Sequence, residues 1–321
     1  MTRVGIIGGG GYTAGELLRL LVHHPEVEIA VVESGSQAGK AVSEVHSDLV
    51  GETDLQFVGT AGAMLDQLDA VFLCMGHGVS RGWVEARRPK KDLLVVDLST
   101  DYRMDERWVY GLPEINRDKI VGARRIANPG CFATAIQLAL LPLAAAGLAE
   151  GEVHINAITG STGAGQSPSP TTHFSWRNAN VSVYKAFSHQ HLAEIGRSAA
   201  QVGRIATDKL NFLPVRGPFA RGIFATTYLD TSASEAELKQ LFNDFYADAA
   251  FTHVTDDSID LKQVVNTNKG LVHVEKHGDK ALVTTAIDNL LKGASGQAVQ
   301  NMNLALGLPE KLGLNLKASM F

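Results

Sequence analysis

In the first third of the chain, short apolar runs alternate with stretches of helical period. Val4 to Ile7 reads as a buried strand. Thr13 to His24 reads as a helix with Leu17, Leu18, Leu20 and Leu21 on its inner side and Pro25 past its end. Val27 to Val32, Ala70 to Met75 and Leu93 to Leu98 read as further strands. Strands alternating with helices predict a parallel sheet.

The rhythm changes after about residue 150. Val153 to Thr159, Gly222 to Leu229 and Lys280 to Ile287 are β-branched runs, separated by polar loops of which Gly160 to Ser182 is the most prominent. Leu192 to Gly203 and Ser234 to Asp248 read as helices. This half predicts an α+β domain with a mainly antiparallel sheet. Gly296 to Leu306 predicts a last helix, apolar on one side. No internal repeat or low-complexity tract interrupts the chain.

The 321 residues suffice for two ordinary domains, and 45% hydrophobic with 20% charged residues is globular composition. A net charge of −5, with no basic run longer than Arg87 to Lys91, argues against a nucleic-acid partner. No stretch reaches the roughly 18 apolar residues of a membrane span, and Met1 to Gly8 is too short and glycine-rich for a signal peptide. Two cysteines, Cys74 and Cys131, make no disulfide framework; a cytoplasmic protein is expected. No metal site is expected.

Gly8-Gly9-Gly10-Gly11-Tyr12-Thr13-Ala14-Gly15 follows a strand and opens a helix. A dinucleotide site needs that context: a tight turn, backbone close to the pyrophosphate, and a helix N-terminus aimed at it. The spacing reads as G-x-x-G-x-x-A on Gly8, Gly11 and Ala14, with Gly10, Tyr12 and Thr13 also candidate contacts. After the second strand, Glu33 suits a ribose 2′-hydroxyl and NAD, whereas Ser34, Ser36 and Lys40 suit a 2′-phosphate and NADP.

Asn128-Pro129-Gly130 forces a turn, and a helical run from Ala133 to Leu141 begins just after Cys131. A cysteine at a helix N-terminus is favoured as thiolate, the attacking species. Cys74 lies inside an apolar strand and reads as core.

With these residues in view the chain resembles the N-acetyl-γ-glutamyl-phosphate reductases, relatives of aspartate-semialdehyde dehydrogenase. The resemblance covers Gly8–Leu17, Asp97–Arg103, Tyr110–Glu114, Asn128–Thr134 with Pro142, Ser161–Gln166, Tyr184–Glu194 with its His-x-His, and Asp288–Asn303. It implies a Rossmann-type parallel-sheet nucleotide-binding domain, residues 1–140 completed by 296–321. It also implies an α+β catalytic and oligomerisation domain, residues 141–295. It further implies NADP as cofactor and a homodimer or homotetramer.

The reaction implied is reduction of a small-molecule acyl phosphate to an aldehyde through a Cys131 thioester, in arginine biosynthesis. Asn128 and His189 complete the catalytic set, His189 ranking above His191 and His173 for proton work. Arg103 is expected on the phosphate, Arg221 on the substrate α-carboxylate, Ser161 and His191 beside the substrate, and Asn289 near the cofactor. The amides after Cys131 are expected to stabilise the oxyanion.

The sequence departs from the family at Val215, where a histidine usually follows the proline of the Phe212-Leu213-Pro214 segment, so the proton carrier stays open. Gly35 stands where the family often has arginine. Arg216 adds a cation that would suit a longer acidic acyl group, N-succinyl rather than N-acetyl. Aspartate-semialdehyde dehydrogenase, glyceraldehyde-3-phosphate dehydrogenase and a silent nucleotide-binding homologue remain rival readings.

Overall fold

A computed structural model describes residues 1–59 and 65–319. The chain divides into two compact units. The first is Met1–Pro129 with Ala294–Asn315; the second is Gly130–Gly293 with the residues after Asn315.

The first unit holds β1 (Thr2–Ile7), α1 (Tyr12–Leu21), β2 (Val27–Glu33), α2 (Val42–Val45), β3 (Phe57–Val58), β4 (Ala70–Leu73), α3 (Ser80–Arg87), β5 (Leu94–Asp97), β6 (Val109–Tyr110), α4 (Pro113–Ile120) and β7 (Arg125–Ala127). Its sheet runs in the order β3-β2-β1-β4-β5-β7-β6, and all its neighbouring pairs are parallel. Burial on both faces explains the unbroken apolar runs: all of β4 and β5 is buried. The order reverses between β1 and β4, so the ends of these strands form a topological switch point, where ligands of such sheets bind.

The second unit holds α5 (Cys131–Ala145), β8 (Val153–Thr159), α6 (Phe174–Arg177), β9 (Ser182–Val183), α7 (His191–Val202), β10 (Leu210–Arg216), β11 (Ile223–Asp230), α8 (Glu235–Phe245), β12 (Thr252–Thr255), β13 (Gly270–His277) and β14 (Lys280–Ile287). Its sheet order is β12-β13-β14-β11-β8-β10-β9. Side chains alternate as the strand period requires: Ile223, Ala225, Thr227 and Leu229 of β11 are buried, and Tyr228 and Asp230 are exposed. The last helix, α9 (Ser295–Ala305), belongs to the first unit.

Helix α5 organises the second unit. It is apolar all round, so it must be buried all round, and every residue from Phe132 to Ala144 is. It packs on β11, β13 and β14 and against α7 and α8. Pro142 lies inside it and has no N–H for the Leu138 carbonyl one turn back. The Tyr246 hydroxyl donates to that carbonyl instead, at 2.8 Å. Thr285 Oγ1 likewise donates to the Ala135 carbonyl at 2.9 Å.

The structure corrects several expectations. A boundary at residue 140 would cut α5, whose packing is with the second unit; the division falls at Pro129/Gly130 instead. The second sheet is mainly antiparallel, as expected, with two parallel pairs, β10 to β8 and β12 to β13. The apolar pattern does not announce strands β3, β6, β7, β9, β10, β12 and β13 or helices α2, α3, α4 and α6. Helix α9 is buried on every side, not one. Its asparagine amides find acceptors inside: Asn301 Nδ2 donates to the Gly111 carbonyl at 2.8 Å and to Asn128 Oδ1 at 3.0 Å, and Asn303 Nδ2 to the Leu312 carbonyl at 2.9 Å. Among the described residues no helix is long and apolar enough to cross a membrane, and no group of three or more His, Cys, Asp or Glu could hold a metal ion.

Tyr246→Phe keeps the ring but strands the Leu138 carbonyl. It should destabilise the protein by about 1–3 kcal/mol in urea unfolding; an unchanged midpoint would contradict this role for Pro142's partner.

Candidate active site

The glycine loop sits at the switch point of the first unit. Gly8 has φ +85, and a Cβ there would lie 2.7 Å from the Cys74 carbonyl, so only glycine serves. Gly11, the N-cap of α1, has nothing within 4 Å of where its Cβ would be. The first turn of α1 carries no acidic residue. An open, uncapped helix N-terminus suits a pyrophosphate. Tyr12 is exposed, Thr13 half-buried and Ala14 buried against the sheet. The imidazole of His46 holds the loop from behind, with Nε2 2.7 Å from the Gly9 carbonyl.

Past β2, Ser34 lies beside Gly10: a Gly10 Cβ would come 3.6 Å from its Oγ. Ser36 and Lys40 are exposed on the same turn. Glu33 is only 2% exposed, and burial raises its carboxyl pKa despite Arg87 and the Trp83 side chain.

Two residues expected at the reacting centre are occupied within the first unit. Asn128 donates Nδ2 to the Ala294 carbonyl at 3.0 Å and accepts from Asn301. Buried Arg103 donates Nε to the Asn128 carbonyl at 2.9 Å and Nη2 to the Leu98 carbonyl at 3.1 Å. Both brace the turn that precedes the cysteine.

In the second unit, Cys131 is the first residue of α5 and is half-buried, whereas the rest of the helix through Ala144 is buried. The first intrahelical bond runs from Thr134 N–H to the Gly130 carbonyl, at 2.8 Å. The amides of Phe132 and Ala133 therefore lie at the open helix end. Gly293 walls the cysteine from one side: a Cβ on Gly293 would come 2.8 Å from Cys131 Cβ.

His189 packs in an aromatic cage with Phe132, Phe212 and Tyr184 at ring distances of 5.4, 5.5 and 5.9 Å. Burial, then Lys185 and Arg216, lowers its pKa to about 4. It is therefore neutral near pH 7. Its Nδ1 accepts from His191 N–H at 3.2 Å, which leaves the ring proton on Nε2. His191, buried at the start of α7, lies 4.6 Å from His189 ring to ring. His173 is exposed at the start of α6 and takes no part in this cage.

The arginines are also engaged. Arg216 ends β10, with its guanidinium 4.8 Å over the Tyr184 ring and Nη1 3.3 Å from the Ser161 carbonyl. Burial pushes the Tyr184 hydroxyl up to about 12. Arg221 grips fully buried Asp288 with Nε and Nη2, at 3.1 and 3.2 Å. Asn289 accepts from Gly222 N–H at 2.7 Å and donates to Thr162 Oγ1 at 3.0 Å, so it ties the Ser161–Ala164 turn to β11. Val215 lies in β10, paired with Val183 of β9.

Residues 3–123 match the family described as the semialdehyde dehydrogenase NAD-binding domain, and residues 131–289 the semialdehyde dehydrogenase dimerisation domain. The N-acetyl-gamma-glutamyl-phosphate reductases of Parabacteroides distasonis and Christiangramia forsetii are 53% and 55% identical over the whole of both chains. The chain belongs to the N-acetyl-γ-glutamyl-phosphate reductase family. Among solved structures, aspartate semialdehyde dehydrogenase II of Vibrio cholerae aligns with TM-score 0.77 at 17% identity, over 96% of this chain and 98% of that one. The Candida albicans enzyme with NADP gives 0.72 at 14%, over 96% and 99%. These neighbours establish the shared fold.

Sequence reasoning passed over three residues of this reductase-family chain: His46, Glu194 and Gly293. Glu194 had a signal, since His191 and Glu194 stand three apart at the start of a helix. Both cysteines are half-buried, but their surroundings differ: desolvation pushes the Cys74 thiol up to about 12, whereas Cys131 opens a helix. Iodoacetamide at pH 8 should label Cys131 alone; labelling of Cys74 in folded protein at a similar rate would contradict this contrast.

Proposed function

We propose that the protein reduces N-acetyl-γ-glutamyl phosphate to the N-acetylglutamate semialdehyde, with phosphate released, as part of arginine biosynthesis in the cytoplasm. The observation that carries the reading is Cys131, the partly exposed first residue of an otherwise buried helix, in a chain that matches named reductases end to end.

The Cys131 thiolate attacks the acyl carbonyl. An S–C bond forms, the C–O bond to phosphate breaks, and phosphate leaves with the electron pair, giving a thioester. The amides of Phe132 and Ala133 at the α5 start suit the oxyanion of that step. A reduced nicotinamide, when bound, would supply the hydride that takes the thioester to the aldehyde and frees the thiolate. Thiolate leaves as an anion, and phosphate leaves as hydrogen phosphate with one proton taken from solvent, so neither step demands a strong acid. That fits a neutral His189, whose Nε2–H serves as hydrogen-bond donor rather than proton carrier, and it fits Val215 in place of a histidine. Arg103, Arg221 and Arg216 hold their elements together and thereby shape the site. The engagement of Arg216 with Tyr184 and Ser161 supports the acetyl over the succinyl substrate.

The cofactor we assign is NADP. Ser34, Ser36 and Lys40 border the glycine loop, and Glu33 turns inward; together they suit a 2′-phosphate. Lys40→Ala should weaken NADPH binding about 10-fold in a fluorescence titration, with NADH little changed. Equal loss for both would sink the assignment. For assembly we assign a homodimer, since Tyr228 and neighbours leave the outer face of the second sheet partly exposed and residues 131–289 match a dimerisation domain.

The overall reading is tested in reverse. The semialdehyde, phosphate and NADP⁺ should yield reduced nicotinamide by absorbance, and Cys131→Ser should lower kcat/KM by about 10³-fold or more. Folded protein that binds NADP⁺ yet gives no signal would overturn it.

A further inference from the structure

Helix α7 begins one residue after Gln190, and its first turn presents Glu194, only 3% exposed. The Oε2 atom accepts the Gly130 N–H at 3.1 Å. Gly130 is the N-cap of α5, with φ −71 and ψ 151, and it has no side chain with which to cap. The next residue is Cys131. The peptide that joins them sets where the Cys131 Cα–Cβ bond points, so a contact that fixes Gly130 fixes the thiol. Opposite, Gly293 leaves no room for Cys131 to retreat.

A negative charge at this helix end works against a thiolate beside it. His191 Nε2, 3.8 Å from Glu194 Oε1, offsets that only when protonated. The benefit of Glu194 must therefore come from its reach and not its charge. We propose that Glu194 is a positioning residue for Cys131, holding the Gly130 turn through its hydrogen bond. The inference rests on the reading of Cys131 as nucleophile.

Two substitutions separate reach from charge. Glu194→Gln keeps an acceptor at the same distance and removes the charge. Glu194→Asp keeps the charge and withdraws the acceptor by one carbon, about 1.5 Å. Glu194→Ala removes both. The Gln variant should retain kcat within about threefold, whereas Asp and Ala should each lose about 30- to 100-fold in kcat with KM nearly unchanged. The rate of Cys131 alkylation without substrate should follow the same order. Wild-type rates in the Asp variant, or a Gln variant as poor as Ala, would overturn the proposal. Should Ala fail to fold, the Gln and Asp pair decides alone. If wild-type protein is inert in the reverse assay, the functional reading fails, and the alkylation series still judges the positioning.

Discussion

Helix α5 is enclosed along almost its whole length, and everything at the second unit's site follows from that enclosure. With apolar residues on every side, it can be stable only where a sheet face and two helices cover it. Its proline removes a backbone donor, and Tyr246 supplies the replacement. A helix fixed so firmly has a single place where chemistry can begin, its first turn, and the residue there is Cys131. The thiol sits where the backbone amides already point outward, and neither a metal nor a strong base is needed to make that end attractive to an anion.

The surroundings of that turn balance two needs. Apolar and aromatic walls of Phe132, Phe212 and Tyr184 exclude water, and that burial is the leading cause of the low His189 pKa and the high Tyr184 pKa. Arg216 and Lys185 add positive potential, which suits the phosphate and carboxylate of the proposed substrate. Most polar groups nearby are occupied with structure. Asp288 takes Arg221, Asn289 ties a turn to a strand, and Glu194 holds the Gly130 amide. The result is a rigid frame around the Cys131 thiol, and such framing is how orientation becomes rate.

Much of this was legible in the sequence. The β-branched runs of β8 and β14 marked their limits to the residue, and β8 also alternates buried and more open positions along its length. The glycine loop and the Asn-Pro-Gly turn announced their geometry through residue types that few other conformations demand. What stayed hidden were long-range pairings. Nothing local in Asn128 or Arg103 tells that their polar atoms meet Ala294, Asn301 and Leu98. The burial of α9 was hidden for the same reason, since its asparagines look like solvent-facing residues until their partners are seen. The His189 pKa depends on an aromatic cage drawn from three separate elements, and so no spacing rule could supply it.

In the proposed reaction Cys131 forms a covalent acyl intermediate before any hydride is transferred. This order is tested by mixing the protein with N-acetyl-γ-glutamyl phosphate in the absence of nicotinamide and measuring intact mass together with released phosphate. One equivalent of phosphate should be released per active site, and one acyl group should be added and map to the peptide that carries Cys131. Phosphate release that waits for reduced nicotinamide, with no mass gained on Cys131, would contradict it.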